Sequence, residues 1–179
     1  MLIEVPITKK RIKTVKGVKL ALSQFQGKKH RNIGSVDYSK YDIEINEKCF
    51  YYPYWIGKIK TMKERPIYKP KEIDYYVVCD ALDSSYIVLR NTPPTEKFKC
   101  EEKNMLPIQM NENRFLGEII EDAKTERIDK QFIFGKPHKE TQEHKMIYIP
   151  MYRIRIREKG QQSYKVYYIN QYTGEIKYT

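Results

Sequence analysis

The chain has 179 residues, 40% of them hydrophobic and 13% aromatic, which suffices for one substantial core or two small ones and excludes wholesale disorder. With 34 Lys+Arg against 23 Asp+Glu, its net charge is +11, and nowhere does it hold the run of about 18 apolar residues that a membrane-crossing helix needs. The three cysteines, Cys49, Cys79 and Cys100, are an odd number at wide spacings without a C-x-x-C pair, which argues against both a disulfide framework and a zinc ribbon.

From the N-terminus, Leu2-Ile3-Glu4-Val5 reads as a short strand that Pro6 ends. The first thirty residues lack the apolar core of a signal peptide, so a cytoplasmic location is expected. Residues 1 to 35 carry Lys9, Lys10, Arg11, Lys13, Lys16, Lys19, Lys28, Lys29 and Arg31 against Glu4 alone. Clustered cations of this kind release condensed counterions on meeting phosphates, so the segment is a candidate contact for nucleic acid or another polyanion; the alternative is a solvated helix that aids solubility. Within it, Thr14 to Gln26 has the period of an amphipathic helix. Val15, Val18, Leu22 and Phe25 form its apolar stripe, with Thr14 as N-cap and Gly27 as the stop.

Asp42-Ile43-Glu44-Ile45-Asn46 alternates as a strand, and Asn46-Glu47-Lys48 is expected to turn the chain into a second strand from Phe50 to Lys60. The stretch from Lys60 to Asp74, with Pro66 and Pro70, reads as a loop, followed by the β-rich run Tyr75 to Asp80 and a further strand. Asn91-Thr92-Pro93-Pro94-Thr95 interrupts the pattern and marks a boundary. Beyond it, Asn113 to about Lys130 is the clearest helix, with Phe115, Leu116, Ile119, Ile120 and Ala123 on one face and Glu118, Glu121 and Asp122 on the other. Those carboxylates have no histidine on their face and read as a solvated helix surface, not as metal ligands or an acid/base pair.

The second half then restates the first. Phe50-Tyr51-Tyr52-Pro53-Tyr54-Trp55-Ile56-Gly57-Lys58-Ile59-Lys60 has a counterpart in Ile147-Tyr148-Ile149-Pro150-Met151-Tyr152-Arg153-Ile154-Arg155-Ile156-Arg157. Each is followed by a polar gap, a β-rich run, a turn and a third run. Self-similarity in fixed order points to duplicated supersecondary units. The expected fold is therefore α+β: two repeated units, each a helix with an antiparallel β-meander, over 1–92 and 93–179. A strand's two-residue period puts Tyr152, Ile154 and Ile156 on one face and Arg153, Arg155 and Arg157 on the other, while Trp55, Gly57 and Ile59 oppose Lys58 and Lys60. A face of arginine and tyrosine is a candidate platform for stacking bases and gripping phosphates, and equally a way to keep an exposed sheet soluble.

Tyr164 to Ile176, with Asn170-Gln171-Tyr172-Thr173-Gly174 at its turn, resembles the C-terminal hairpin of PepSY-type modules; in the first copy Asp80 stands for Asn170 and Ser84-Ser85 for Thr-Gly. The resemblance implies a small non-catalytic helix-plus-sheet module, often in tandem, used in protein interaction or inhibition. No G-x-S-x-G, Walker-type loop or dinucleotide fingerprint occurs, and His30, His138 and His144 have no ligand spacing. The chain is thus expected to be a binding or accessory protein without catalysis, metal or cofactor. Its partner is a protein or an anionic polymer, DNA or RNA included, and its oligomeric state is left open.

Overall fold

The structure is a computed structural model and describes residues 2–8, 13–27, 38–65, 67–92, 94–133, 135–171 and 173–178. It is a mixed α+β fold with an antiparallel sheet. The strands are β1 (Leu2–Thr8), β2 (Tyr41–Lys63), β3 (Lys71–Asp80), β4 (Tyr86–Leu89), β5 (Thr95–Glu101), β6 (His138–Glu158), β7 (Lys165–Asn170) and β8 (Ile176–Tyr178). Helix α1 (Thr14–Phe25) lies between β1 and β2, and helix α2 (112–131) between β5 and β6. The sheet runs β4-β3-β2-β6-β1-β5, with β7 also pairing with β6 and β8 with β7.

The described residues fall into two compact units that interleave along the chain: unit 1 is Met1–Tyr52, Glu96–Leu106 and Ile149–Thr179, and unit 2 is Pro53–Thr95 and Pro107–Tyr148. Two long strands cause the interleaving. Where a turn was expected at Asn46-Glu47-Lys48, β2 continues for 23 residues from Tyr41 to Lys63, because pairing along a long neighbouring strand outweighs the weak turn preference of that tripeptide. Strand β6 is similarly long, at 21 residues. Strand β1 also runs through Pro6 instead of ending there.

In unit 1, α1 covers β6 and β7. Ala21 and Leu22 pack with Ile154, Ile156, Tyr167 and Ile169 in one fully apolar cluster, with Val18, Leu20, Phe25 and Tyr152 at its margin. Val15, expected in the apolar stripe, is exposed. The first-turn residue that faces the sheet is Gly17, where a Cβ would lie 3.2 Å from the Tyr152 ring. Lys13, not Thr14, occupies the N-cap position, and it makes no capping hydrogen bond.

In unit 2, α2 covers β2 and β3. Phe115, Ile119, Ile120, Ala123 and Ile128 pack with Ile59, Tyr75, Val77, Cys79 and Met110. Asn111 caps α2 by accepting a hydrogen bond from the Arg114 amide at 2.9 Å. The helix is wound in the wider π form over Phe115–Ile120 and Ala123–Ile128. The helix that covers each hairpin is thus the more distant one in sequence: α1 lies on the C-terminal hairpin and α2 on β2–β3.

The two hairpins end alike. Pairing of β2 with β3 ends at Tyr54↔Asp80, one residue after Pro53, and that of β6 with β7 at Met151↔Asn170, one residue after Pro150. Proline has no amide hydrogen to continue a ladder, so the pairing stops there. The proline carbonyls accept from the next turn, Pro53 from the Ala81 amide at 3.2 Å and Pro150 from the Gln171 amide at 2.9 Å. In the turn itself the Ser84 and Gly174 amides donate to the Asp80 and Asn170 carbonyls, and the Asp80 and Asn170 amides donate to the Ser85 and Glu175 carbonyls. The side chains act alike too: Asp80 Oδ1 accepts from the Asp83 amide and Asn170 Oδ1 from the Thr173 amide. Asp83-Ser84, not Ser84-Ser85, therefore stands where Thr173-Gly174 stands.

Ser84 has φ +66° and Gly174 φ +80°. A left-handed backbone costs an L-residue roughly 1 kcal/mol and glycine nothing. Ser84→Gly is accordingly expected to stabilise unit 2 by up to about 1 kcal/mol, and Gly174→Ala to destabilise unit 1 by a similar amount. Denaturant midpoints check both, and a Ser84→Gly protein no more stable than wild type would refute the strain at that turn.

Candidate functional site

The expected polyanion-binding residues separate into three groups. Lys9, Lys10, Arg11, Lys28, Lys29 and Arg31 lie outside the described residues. Lys13, Lys16 and Lys19 are exposed, the last two on α1 away from its buried stripe. The strand cations are engaged within the sheet. Lys58 pairs with Asp74 at 2.9 Å and Lys60 with Glu72 at 2.8 Å, each reaching diagonally across the β2–β3 ladder. The hydrogen bond that Lys58 donates to Asp74 raises its pKa above the ordinary lysine value, and the one that Lys60 donates to Glu72 does the same for Lys60.

The arginine ladder of β6 sits opposite its own counter-ladder. Arg155 Nη1 donates to Glu44 at 2.7 Å and Arg157 Nε to Asp42 at 2.8 Å. The hydrogen bond that Arg157 donates to Asp42 raises its pKa above the ordinary arginine value. Both guanidinium groups lie over the Tyr164 ring, at 4.5 and 4.6 Å from its centroid. Arg153 lies 5.8 Å from the centre of the Phe50 ring, which meets Tyr168 edge-on at 6.3 Å. Cation–π contacts of this kind occupy the ring faces that a base would need. The sequence signal for this arrangement was the alternation in Asp42-Ile43-Glu44-Ile45: an acidic strand face of period two is the complement of the arginine face.

The residues considered for chemistry are also engaged. Glu118 accepts from Arg114 Nε at 2.9 Å, Glu121 from Lys124 at 2.7 Å, and Asp122 from the Tyr86 hydroxyl. His144 Nε2 is 2.6 Å from Glu112 Oε1, and its ring lies 6.3 Å from that of Trp55. Among the described residues no group of three or more His, Cys, Asp or Glu side chains is placed to hold a metal ion. Cys79 and Cys100 are free and buried; burial pushes the Cys79 thiol up to about 11, which keeps it protonated and unreactive. The side chain of Cys49 lies outside the described residues, as does His30.

Trp55 is half-buried and held by two contacts. Its indole stacks on Phe115 with ring centres 5.5 Å apart and donates from Nε1 to the Met110 carbonyl at 2.9 Å. Tyr152, two residues after Pro150 as Trp55 is after Pro53, packs against the unit 1 core. Among the described residues, no helix is long and apolar enough to cross a membrane. No protein-family model, curated protein or solved structure matches the chain.

Proposed function

We propose that this protein is a non-catalytic binding or accessory module built from two repeated helix-plus-meander units, akin to tandem PepSY-type modules and carrying a basic N-terminal segment. The observation that carries the reading is the equivalence of the two hairpin ends. The same kinds of contact, from the proline carbonyl to the turn carboxamide or carboxylate, recur at Pro53–Ser85 and Pro150–Glu175 with identical spacing within each turn. In this reading each unit takes its helix from the other half of the chain, so the duplicated halves are exchanged. Internal pairing of the sheet cations with Asp42, Glu44, Glu72 and Asp74 suits a surface that docks a folded partner better than one that grips phosphates.

A second reading is binding of DNA or RNA through the N-terminal segment, favoured by the exposure of Lys13, Lys16 and Lys19. Fluorescence anisotropy with labelled duplex DNA, single-stranded DNA and RNA across a salt series separates the two. The protein-docking reading expects no salt-dependent binding at micromolar concentration. Salt-dependent binding whose log–log slope falls by about 0.9 for each phosphate-bound cation that Lys13→Gln, Lys16→Gln or Lys19→Gln removes would transfer the assignment to nucleic acid. Under either reading, Arg155→Gln with Arg157→Gln leaves nucleic-acid affinity unchanged, because both cations already have carboxylate partners.

A further inference from the structure

The most exposed apolar side chains of unit 2 stand at two chain reversals, and cations surround them. Ile67 is 86% and Tyr68 73% exposed in the connection between β2 and β3, and Ile133 is 87% exposed just after α2. The two connections lie at the same end of unit 2. Lys63 and Lys71 are the last pair of the β2–β3 ladder, and Lys63 Nζ lies 5.5 Å from the centre of the Phe132 ring, the residue before Ile133.

The charge there is one-sided. From residue 63 to residue 71 the chain carries Lys63, Arg65, Lys69 and Lys71 against Glu64 alone. The next acids along both strands and along α2 are engaged elsewhere: Glu72 with Lys60, Asp74 with Lys58, and Asp129 with Lys139 and, at 3.6 Å, Lys136. Apolar side chains in water are unfavourable by their full exposed area. Isoleucine tips beside lysines and a tyrosine match the layered chemistry of a bilayer surface, where acyl chains take the aliphatic groups, the interface takes the tyrosine ring and anionic headgroups attract the cations.

We propose that this end of unit 2 is a peripheral membrane-contact site, which inserts Ile67 and Ile133 into the outer layer of an anionic lipid surface while Lys63, Arg65, Lys69 and Lys71 meet the headgroups. The site goes beyond the module reading above and uses none of the N-terminal cations. Phosphate groups on nucleic acid would satisfy the cations but not the two isoleucines, so the apolar contribution identifies lipid.

Vesicle co-sedimentation tests it, with phosphatidylcholine vesicles and phosphatidylcholine–phosphatidylglycerol vesicles as probes. Wild-type protein is expected to partition onto the phosphatidylglycerol vesicles and weakly or not at all onto phosphatidylcholine alone. Ile67→Ser with Ile133→Ser should weaken partition about tenfold or more, and Lys69→Gln with Lys71→Gln by about tenfold at low salt. All four positions are exposed, so the thermal midpoint should stay at the wild-type value. Ile67→Trp gives a second readout: the added indole, taken by difference from the wild-type spectrum of Trp55, should shift to the blue on vesicles and be quenched by brominated acyl chains. Failure of the wild type to bind phosphatidylglycerol vesicles would overturn the proposal. So would tip variants that bind as wild type while Lys16→Gln with Lys19→Gln abolishes binding, which would place the contact on α1.

Discussion

Replacing Phe115 by alanine should cost unit 2 about 3 to 5 kcal/mol, the range for deleting a fully buried aromatic ring. Phe115 is fully buried at the centre of the unit 2 cluster, where its ring carries the Trp55 indole on one face and meets Gly57 of β2. Removing it leaves a cavity against Gly57, which has no side chain to move into the space. Trp55→Ala should cost less, about 2 to 3 kcal/mol, because the indole is only half-buried, and part of that cost is the hydrogen bond it no longer donates to the Met110 carbonyl. Chemical denaturation followed by far-ultraviolet circular dichroism gives both values, with unchanged m-values confirming that stability alone has altered. A Phe115→Ala protein within 1 kcal/mol of wild type would mean that α2 is not held by this ring.

The elements whose pattern is local were legible in the sequence. The α2 stripe Phe115, Ile119, Ile120 and Ala123 is buried as its period requires, and Ile154 and Ile156 lie opposite the arginines as period two requires. What local pattern does not contain is the partner of each face. Nothing in Val18, Ala21 and Leu22 says that they cover β6 and β7 and not the nearer β2–β3 hairpin; that choice is made by which apolar sheet face the completed chain leaves uncovered. The same limit explains β2. A tripeptide such as Asn46-Glu47-Lys48 has turn-forming composition, but continuous pairing along a long neighbour outweighs a weak local preference.

The candidate site was legible in its charges and not in their pairing. Arg153, Arg155 and Arg157 are visible as a ladder in one segment, whereas Asp42 and Glu44 stand more than a hundred residues earlier, so their complementarity appears only when β2 and β6 are neighbours. The apolar tip was missed for a related reason. Ile67 and Tyr68 sit in a segment with prolines and charges that reads as an ordinary polar loop, and Ile133 is more than sixty positions away; only the hairpin geometry brings the three to one end.

Gly57→Ala should destabilise unit 2 by about 1 to 3 kcal/mol, and the cost should depend on a single methyl group on the facing helix. A Cβ at position 57 would lie 2.6 Å from Ile120 Cδ1 and 3.1 Å from Phe115 Cζ. The first is a clash and the second is tight, since carbon atoms are at rest about 3.5 to 4.0 Å apart. Ile120 is almost fully buried, so its Cδ1 has little free space to rotate into. Ile120→Val deletes that Cδ1 and alone should cost about 1 kcal/mol. In the Ile120→Val background the alanine at 57 fills part of the vacated volume, so the double variant should be more stable than the sum of the single effects predicts by about 1 kcal/mol or more, a coupling typical of residues in direct contact. Leucine at position 57 is the extreme case: three further carbons directed into Phe115 and Ile120 require α2 to lift from the sheet, and circular dichroism should show loss of the cooperative unfolding transition. Additive effects of Gly57→Ala and Ile120→Val would mean that α2 does not approach β2 this closely, and the glycine would then have no packing reason to be there.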